Sequence, residues 1–302
     1  CIRKSWLMTI IQLEYLLAVA NHGSFSQAAE KCFVTQPSLS MQVKNLEEEL
    51  GVILLDRSKK PVIPTEAGTL VLNQAREAVM AFRRVTEAVN DLKGEVSGLL
   101  RLGVIPTIAP YLLHRFVPEF TRKYPKVELQ IKEMVTSDIV AALNRDMLDA
   151  AILAGGTSPG EIIEEELFDD RFYAYVSPMH PLYERSNIRI EDIDVKHLLL
   201  LSEGNCLRDQ VLELCQARRR VPAQYAFESG SLDTLMRIVD NTANMTIIPE
   251  LALDFIPKEK HSQIKTLAKG ATSRKITIAV RRTYVKRSLI SALKESIIGA
   301  SK

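Results

Sequence analysis

From Glu66 to about Lys93 the chain holds no proline and a single glycine, Gly68, so the stretch can run as one unbroken helix. Some 28 residues at the helical rise make a rod of ~42 Å, too long to lie on the block of about 60 residues that precedes it. The rod therefore divides the 302-residue chain into a short N-terminal block and a longer C-terminal one, and a chain of this length holds more than one core in any case. Val71, Ala75, Ala78, Phe82, Val85, Val89 and Leu92 alternate steps of four and three along it, the seam of a coiled coil. A helix packed on its own domain is the plainer alternative; the length favours dimerisation through residues 66–93, pairing two N-terminal blocks. Gly94-Glu95-Val96-Ser97-Gly98 then reads as a hinge.

The N-terminal block, residues 8–65, reads as short helices joined by tight turns. Leu13, Leu16, Leu17 and Ala20 keep the spacing of one buried helical face, which Asn21-His22-Gly23 ends. Ser24 or Ser26 caps a second helix carrying Ala28 and Ala29. After a brief turn at Phe33-Val34, Thr35 caps a third, with Pro37 in its first turn where a missing N–H is harmless. Leu39, Val43, Leu46 and Leu50 then form the inner stripe, while Pro37, Met41, Lys44 and Asn45, flanked by Ser38 and Ser40, lie opposite. Two small helices of this kind suit a helix-turn-helix whose second member enters the major groove. A plain helical bundle with a solvated outer face fits the periodicity equally well. Acids outnumber bases by one across residues 8–64, so the block's net charge is a poor footprint for nucleic acid. What favours DNA is where the cations sit: Lys44 on the outer face, and Arg57, Lys59 and Lys60 in the loop Asp56–Pro61, a phosphate-gripping wing.

The run Phe25-Ser26-Gln27-Ala28-Ala29, then Val34-Thr35-Gln36-Pro37-Ser38-Leu39-Ser40, then Leu46-Glu47-Glu48-Glu49-Leu50-Gly51 and Leu54-Leu55-Asp56-Arg57, resembles the winged helix-turn-helix of LysR-type transcriptional regulators. The likeness continues through Pro64-Thr65-Glu66-Ala67-Gly68, which opens the linker helix in that family. On this basis Gln36, Pro37, Ser38 and Ser40 are expected at or near base edges, with Lys44 and Arg57 on phosphates.

After the hinge the pattern becomes α/β, with short apolar strands expected at Leu99–Val104, Val127–Glu133, Asp149–Ala154, Phe172–Ser177, Leu198–Ser202, Met245–Ile248 and Ile276–Val280. Helical stretches separate most of them, as in a doubly wound sheet, where ligands bind at the carboxyl ends of strands. The resemblance implies two such subdomains in residues 97–302, built like a periplasmic binding protein, with a cleft between them and the last strand and helix returning to the first.

Composition narrows the function classes. Charge is near balance, 39 Lys+Arg against 37 Asp+Glu, and hydrophobic residues make up 46%, ordinary for a globular chain and unlike a disordered one. No apolar run approaches the roughly 20 residues that span a bilayer. Four cysteines in 302 residues are no secreted disulfide scaffold. The opening Cys-Ile-Arg-Lys-Ser-Trp-Leu lacks a signal-peptide core, so Met8 is read as the native start and the protein as cytoplasmic. Phosphate-binding glycine loops, HExxH, GxSxG and paired CxxC motifs are absent from the sequence, and its five histidines show no ligand spacing. An enzyme, a cofactor and a metal are therefore not expected.

Cys32 is most simply a small core residue. Cys206 follows the polar turn Glu203-Gly204-Asn205 and so falls in a helix's first turn, where the macrodipole favours a thiolate and Arg208 adds positive charge. Such a thiol is a candidate peroxide nucleophile, expected to be partly exposed with a depressed pKa. Cys215 lies nine residues on, about 13.5 Å along an intact helix and roughly on the opposite face. A disulfide needs Cα atoms within about 7 Å, so pairing the two requires the helix to melt; two unrelated buried cysteines is the plainer alternative.

Gly204-Asn205-Cys206-Leu207-Arg208-Asp209-Gln210 with Cys215, Gly103-Val104-Ile105-Pro106-Thr107 with Pro110-Tyr111-Leu112-Leu113, and Ser231-Leu232-Asp233-Thr234-Leu235 are similar to the redox segments of peroxide-sensing LysR-type regulators. The resemblance makes Cys206 peroxidatic and Cys215 resolving. It assigns Thr107, Thr136, Asn205 and Arg208 to a peroxide pocket, with Asn205 standing where better-known relatives carry histidine. An amide in that place still hydrogen-bonds a peroxide oxygen. It also implies double-stranded DNA with an interrupted palindromic operator, RNA polymerase, a homodimer or homotetramer, and hydrogen peroxide as signal. The competing reading keeps the architecture but places a small-molecule effector in the cleft, with Thr107 and Thr136 as its ligands.

Overall fold

A computed structural model describes residues 8–92, 96–156, 160–215, 230–268, 273–284 and 286–301. The chain forms two compact units, residues 1–95 and 96–302.

The first unit opens with α1 (Ile10–His22), whose N-cap Thr9 and Gln12 close a capping box and whose end is set by Gly23 at φ +62°. Ser24 caps α2 (Phe25–Lys31), and Thr35, accepting from the Ser38 N–H, caps α3 (Gln36–Leu50). Leu13, Leu16, Val19, Ala28, Ala29, Leu39, Val43 and Leu46 share one core, with Leu17, Ala20 and Leu50 of the expected stripes only partly buried at its edge and Val19 joining it unexpectedly. The wing is a two-residue ladder between β1 (Leu55–Asp56) and β2 (Ile63–Pro64).

The rod is real: α4 spans Glu66–Leu92 without interruption. Its first turn presses so closely on the wing that a Cβ on Gly68 would stand 1.9 Å from the Leu54 carbonyl oxygen. The seam, however, is shifted. Leu72, Ala75 and Val79 are buried against α1–α3, while Ala78 is exposed. The first half of the helix thus packs on its own domain, because its inner stripe follows the face that α1 offers. Phe82 and Val85 stay 55% and 66% exposed; the side chains of Val89 and Leu92 lie outside what the structure describes.

The second unit begins with β3 (Gly98–Val104), α5 (Ala109–Lys123), β4 (Val127–Glu133), α6 (Thr136–Asn144) and β5 (Ala150–Ala154), in which β3 pairs in parallel with both β4 and β5. The long β6 (Ile162–Val176) leaves this subdomain and builds the next with β7 (Asn187–Arg189), α7 (Cys206–Leu214), α8 (Leu232–Val239), β8 (Met245–Pro249) and β9 (Ile264–Ala268). Its C-terminal half pairs with β8 and β9, and β7 runs parallel to β9. Then β10 (Ser273–Arg281) returns between β5 and β6, and α9 (Arg287–Ala300) ends the chain. The return of the last strand and helix to the first subdomain is as expected.

Two strand expectations need correction. Leu198–Ser202 makes only a single bridge, Leu198 with Met245. The strand expected at Phe172–Ser177 starts ten residues earlier, hidden by its acidic run Glu164-Glu165-Glu166; Lys275 on β10 neutralises Glu166 at 2.6 Å. Strands β7 and β9 were not anticipated, being too short and polar to show a period.

Candidate redox site and nucleic-acid interface

Helix α7 starts at Cys206 with Asn205 as its cap, after a turn in which Gly204 holds φ +88°. Cys206 is a half-buried free thiol, and Cys215, also free, caps the other end of α7. With the helix intact the two are ~13.5 Å apart along its axis.

Two elements converge on the Cys206 sulfur. The Thr136 hydroxyl, on the first residue of α6, and the Arg274 guanidinium of β10 are the neighbours that favour its anion. Arg274 is itself held rigidly. Its Nε donates to Asp170 Oδ2 at 2.9 Å, its Nη1 to Thr107 Oγ1 at 2.9 Å and its Nη2 to the Thr107 carbonyl at 3.0 Å. Asp170 also accepts from the Leu251 N–H at 3.0 Å. The pair is almost wholly buried, at 1% and 0% side-chain exposure, so each ion depends on the other. Thr107, Thr136 and Cys206 are thereby gathered around one guanidinium.

Two expectations fail on this geometry. The Cys206 thiol is not shifted down: burial pushes it up, and Arg274, Thr136 and the Leu207 N–H only partly offset that. Nor does Arg208 face the sulfur. It lies about 200° around the helix from Cys206, and its Nη1 donates to the Leu201 carbonyl at 3.0 Å. The positive charge comes from Arg274, which sequence reasoning missed, as it missed Asp170. A signal was present: period two places Arg274 on the face of Ile276 and Ile278, and Asp170 on that of Phe172 and Ala174, so each is a charge on a buried stripe. The buried Asn205 amide donates to the Ser202 carbonyl and hydroxyl at 3.2 and 3.0 Å, closing the turn that launches α7. The motifs at Tyr111 and Asp233 also meet, with the Tyr111 hydroxyl donating to Asp233 at 3.0 Å.

In the first unit Gln36, Pro37, Ser38 and Lys44 lie exposed along the outer face of α3, and Lys44 pairs loosely with Glu48 at 3.4 Å. Ser40 is half-buried and accepts from Arg57 at 3.4 Å, so it is turned to the flank and not outward. Arg57 is tied in place too: it donates to Glu47 at 2.8 Å and stacks over the Phe25 ring at 4.8 Å. Glu47, unremarked in the sequence, is the hub, since its other oxygen accepts the Leu54 and Leu55 N–H groups at 2.8 and 3.2 Å and fixes the wing to α3.

A helix-turn-helix head with a wing, a linker helix and a two-subdomain α/β unit make up the plan of a LysR-type regulator, and the chain belongs to that family. Residues 10–69 match the bacterial regulatory helix-turn-helix of the lysR family, and residues 93–301 the LysR substrate binding domain. Within the family it is 37% identical over 253 residues to a hydrogen peroxide-inducible genes activator of Dickeya chrysanthemi, covering 84% of this chain and 82% of that one. It is 35% identical over 292 residues to the DNA-binding transcriptional dual regulator OxyR of Escherichia coli, covering 96% and 95%. Among solved structures, a full-length cysteine-to-aspartate variant of OxyR from Pseudomonas aeruginosa superposes with a TM-score of 0.82 at 32% identity, over 97% of this chain and 95% of that one. A hydrogen-peroxide-bound cysteine mutant of OxyR from Corynebacterium glutamicum gives 0.62 at 27% identity, over 99% and 94%.

Proposed function

We propose that the protein is a peroxide-sensing, DNA-binding transcriptional regulator whose sensor is Cys206. The observation that carries this is the convergence of Thr136 and the Thr107-bound Arg274 on a free, half-buried thiol at a helix start. Its relatives' names supply the signal. In the reaction the Cys206 thiolate attacks one peroxide oxygen, the O–O bond breaks, sulfur is oxidised by two electrons to a sulfenic acid, and hydroxide leaves to become water. Arg274 and Thr136 favour the anion that attacks. The Cys215 thiolate then attacks the sulfenic sulfur, an S–S bond forms, and a second hydroxide departs. Because α7 separates the two sulfurs, that bond requires its unwinding, which turns the chemistry into a change of shape.

Exposed Gln36 and Ser38 read base edges of an interrupted palindrome, Lys44 and Arg57 hold phosphates, and the exposed Phe82 and Val85 pair two protomers along α4. Higher assembly, RNA polymerase as partner and a cytoplasmic location complete the reading.

The test is intact mass and free-thiol count before and after one equivalent of hydrogen peroxide, with operator binding followed in parallel. The wild type loses two thiols and gains no oxygen. Cys206→Ser loses the peroxide response and keeps DNA binding, and Cys215→Ser leaves a sulfenic acid that dimedone traps. A Cys206→Ser protein that still changes its operator contacts on peroxide treatment overturns the proposal. The effector-in-cleft alternative draws on a cavity of about 880 Å³ beside α7, lined by Glu164, Glu166, Gln210 and Lys275. Neither Thr107 nor Thr136 lines it, so those threonines serve the sulfur better than an effector there.

A further inference from the structure

Phe33 is an aromatic side chain for which folding has no use. Helix α2 ends in a Schellman arrangement, with the Phe33 N–H donating to the Glu30 carbonyl at 3.2 Å and the Val34 N–H to the Ala29 carbonyl at 3.0 Å. That motif demands a positive φ at its hinge residue, and Phe33 stands at φ +56°. Glycine meets the demand freely, whereas a bulky side chain there is strained. The ring gains nothing from burial in return. Cys32 and Val34 on either side of it pack against the core of the first unit, but Phe33 is 95% exposed.

The position is what gives the ring a use. It lies two residues before the cap of α3 and three before Gln36, continuous with exposed Gln36, Pro37 and Ser38. In a helix-turn-helix this end of the recognition helix enters the major groove. The base edges there present hydrogen-bonding groups and one apolar group, the thymine 5-methyl. We propose that Phe33 packs on a thymine methyl beside the bases met by Gln36 and Ser38, as a specificity-determining residue. The inference rests on the DNA-binding reading above.

The test uses the full-length chain and a duplex enriched by it from a random-sequence pool. Each thymine is replaced in turn by deoxyuridine, which removes the methyl and keeps every hydrogen-bonding group. At one thymine per half-site the wild type is expected to bind about three- to fivefold more weakly, the worth of one buried methyl. Phe33→Ala is expected to bind the unmodified duplex roughly tenfold more weakly and to be indifferent to that same replacement. Phe33→Gly should unfold no earlier than the wild type on heating. If the wild type enriches no duplex, the DNA-binding reading falls and this inference with it. If the wild type binds but Phe33→Ala binds as tightly, or every deoxyuridine duplex weakens both proteins alike, only the inference is overturned. A Phe33→Gly protein that melts earlier would give the ring a folding role and overturn it as well.

Discussion

Each unit carries one arginine–carboxylate pair at its centre of interest. In the head, Arg57 meets Glu47 at 2.8 Å with 38% of the arginine side chain exposed. In the regulatory unit, Arg274 meets Asp170 at 2.9 Å with 1% exposed. The chemistry is the same and the solvent is not. Water competes for Arg57, so its bond to Glu47 is worth little and its charge remains open to a phosphate. Arg274 has no such competitor, so its guanidinium stays fixed and the part of its field that Asp170 does not offset reaches the Cys206 sulfur with little screening by water. A contact that must be exchanged on binding belongs at the rim; a charge that must be ready before a small neutral oxidant arrives belongs inside.

The largest effect that sharpens this contrast is expected from Arg274→Ala. Leaving Asp170 buried and alone should cost about 3–5 kcal/mol in denaturant unfolding of the regulatory unit. Replacing both partners by apolar residues of similar size, Arg274→Met with Asp170→Leu, should recover most of the stability but not the peroxide response. A loss near zero for Arg274→Ala would erase the distinction between the two pairs.

Next comes the pH dependence. Burial holds the Cys206 thiol above its ordinary value despite Arg274, so the thiolate is the minor form at neutral pH. The rate of sulfenic acid formation should then climb as pH rises from 7 to 9, by up to tenfold per unit while the thiol predominates, since each unit of pH shifts the ratio tenfold. Arg274→Gln should move the curve to higher pH. A stopped-flow rate that is flat over that interval would mean that the thiol is already ionised at pH 7 and that Arg274, not burial, governs the sulfur.

The smallest expected effect is at the rim. Arg57→Ala should alter stability by no more than ~1 kcal/mol. It should weaken binding to all duplexes similarly and lower the slope of log affinity against log salt by about 1. An unchanged slope would mean that Arg57 serves only Glu47 and the wing.

The head was legible because its signals are local. Ser24 and Thr35 cap the helices they precede, Gly23 ends the first, and the helix stripes find most of the common core. The unbroken run to Leu92 could be read from the absence of proline. Its inner face could not be read in full, because the face that α1 offers takes Leu72 and Val79 beside Ala75 and leaves Ala78 of the expected seam exposed. In the regulatory unit the start of α7 after Gly204-Asn205 is local chemistry too and was legible in the same way. What the chain order hid was the set of neighbours. Arg274 is 68 residues from Cys206 and 167 from Thr107, and no spacing rule joins them. Their meeting is decided by β10 returning between β5 and β6. Periodicity reports which face of an element is buried, since that depends on residues a few positions apart. Which charge lies across the core from a sulfur, and whether burial or that charge governs it, depends on strand order and depth, and only the tertiary structure decides those.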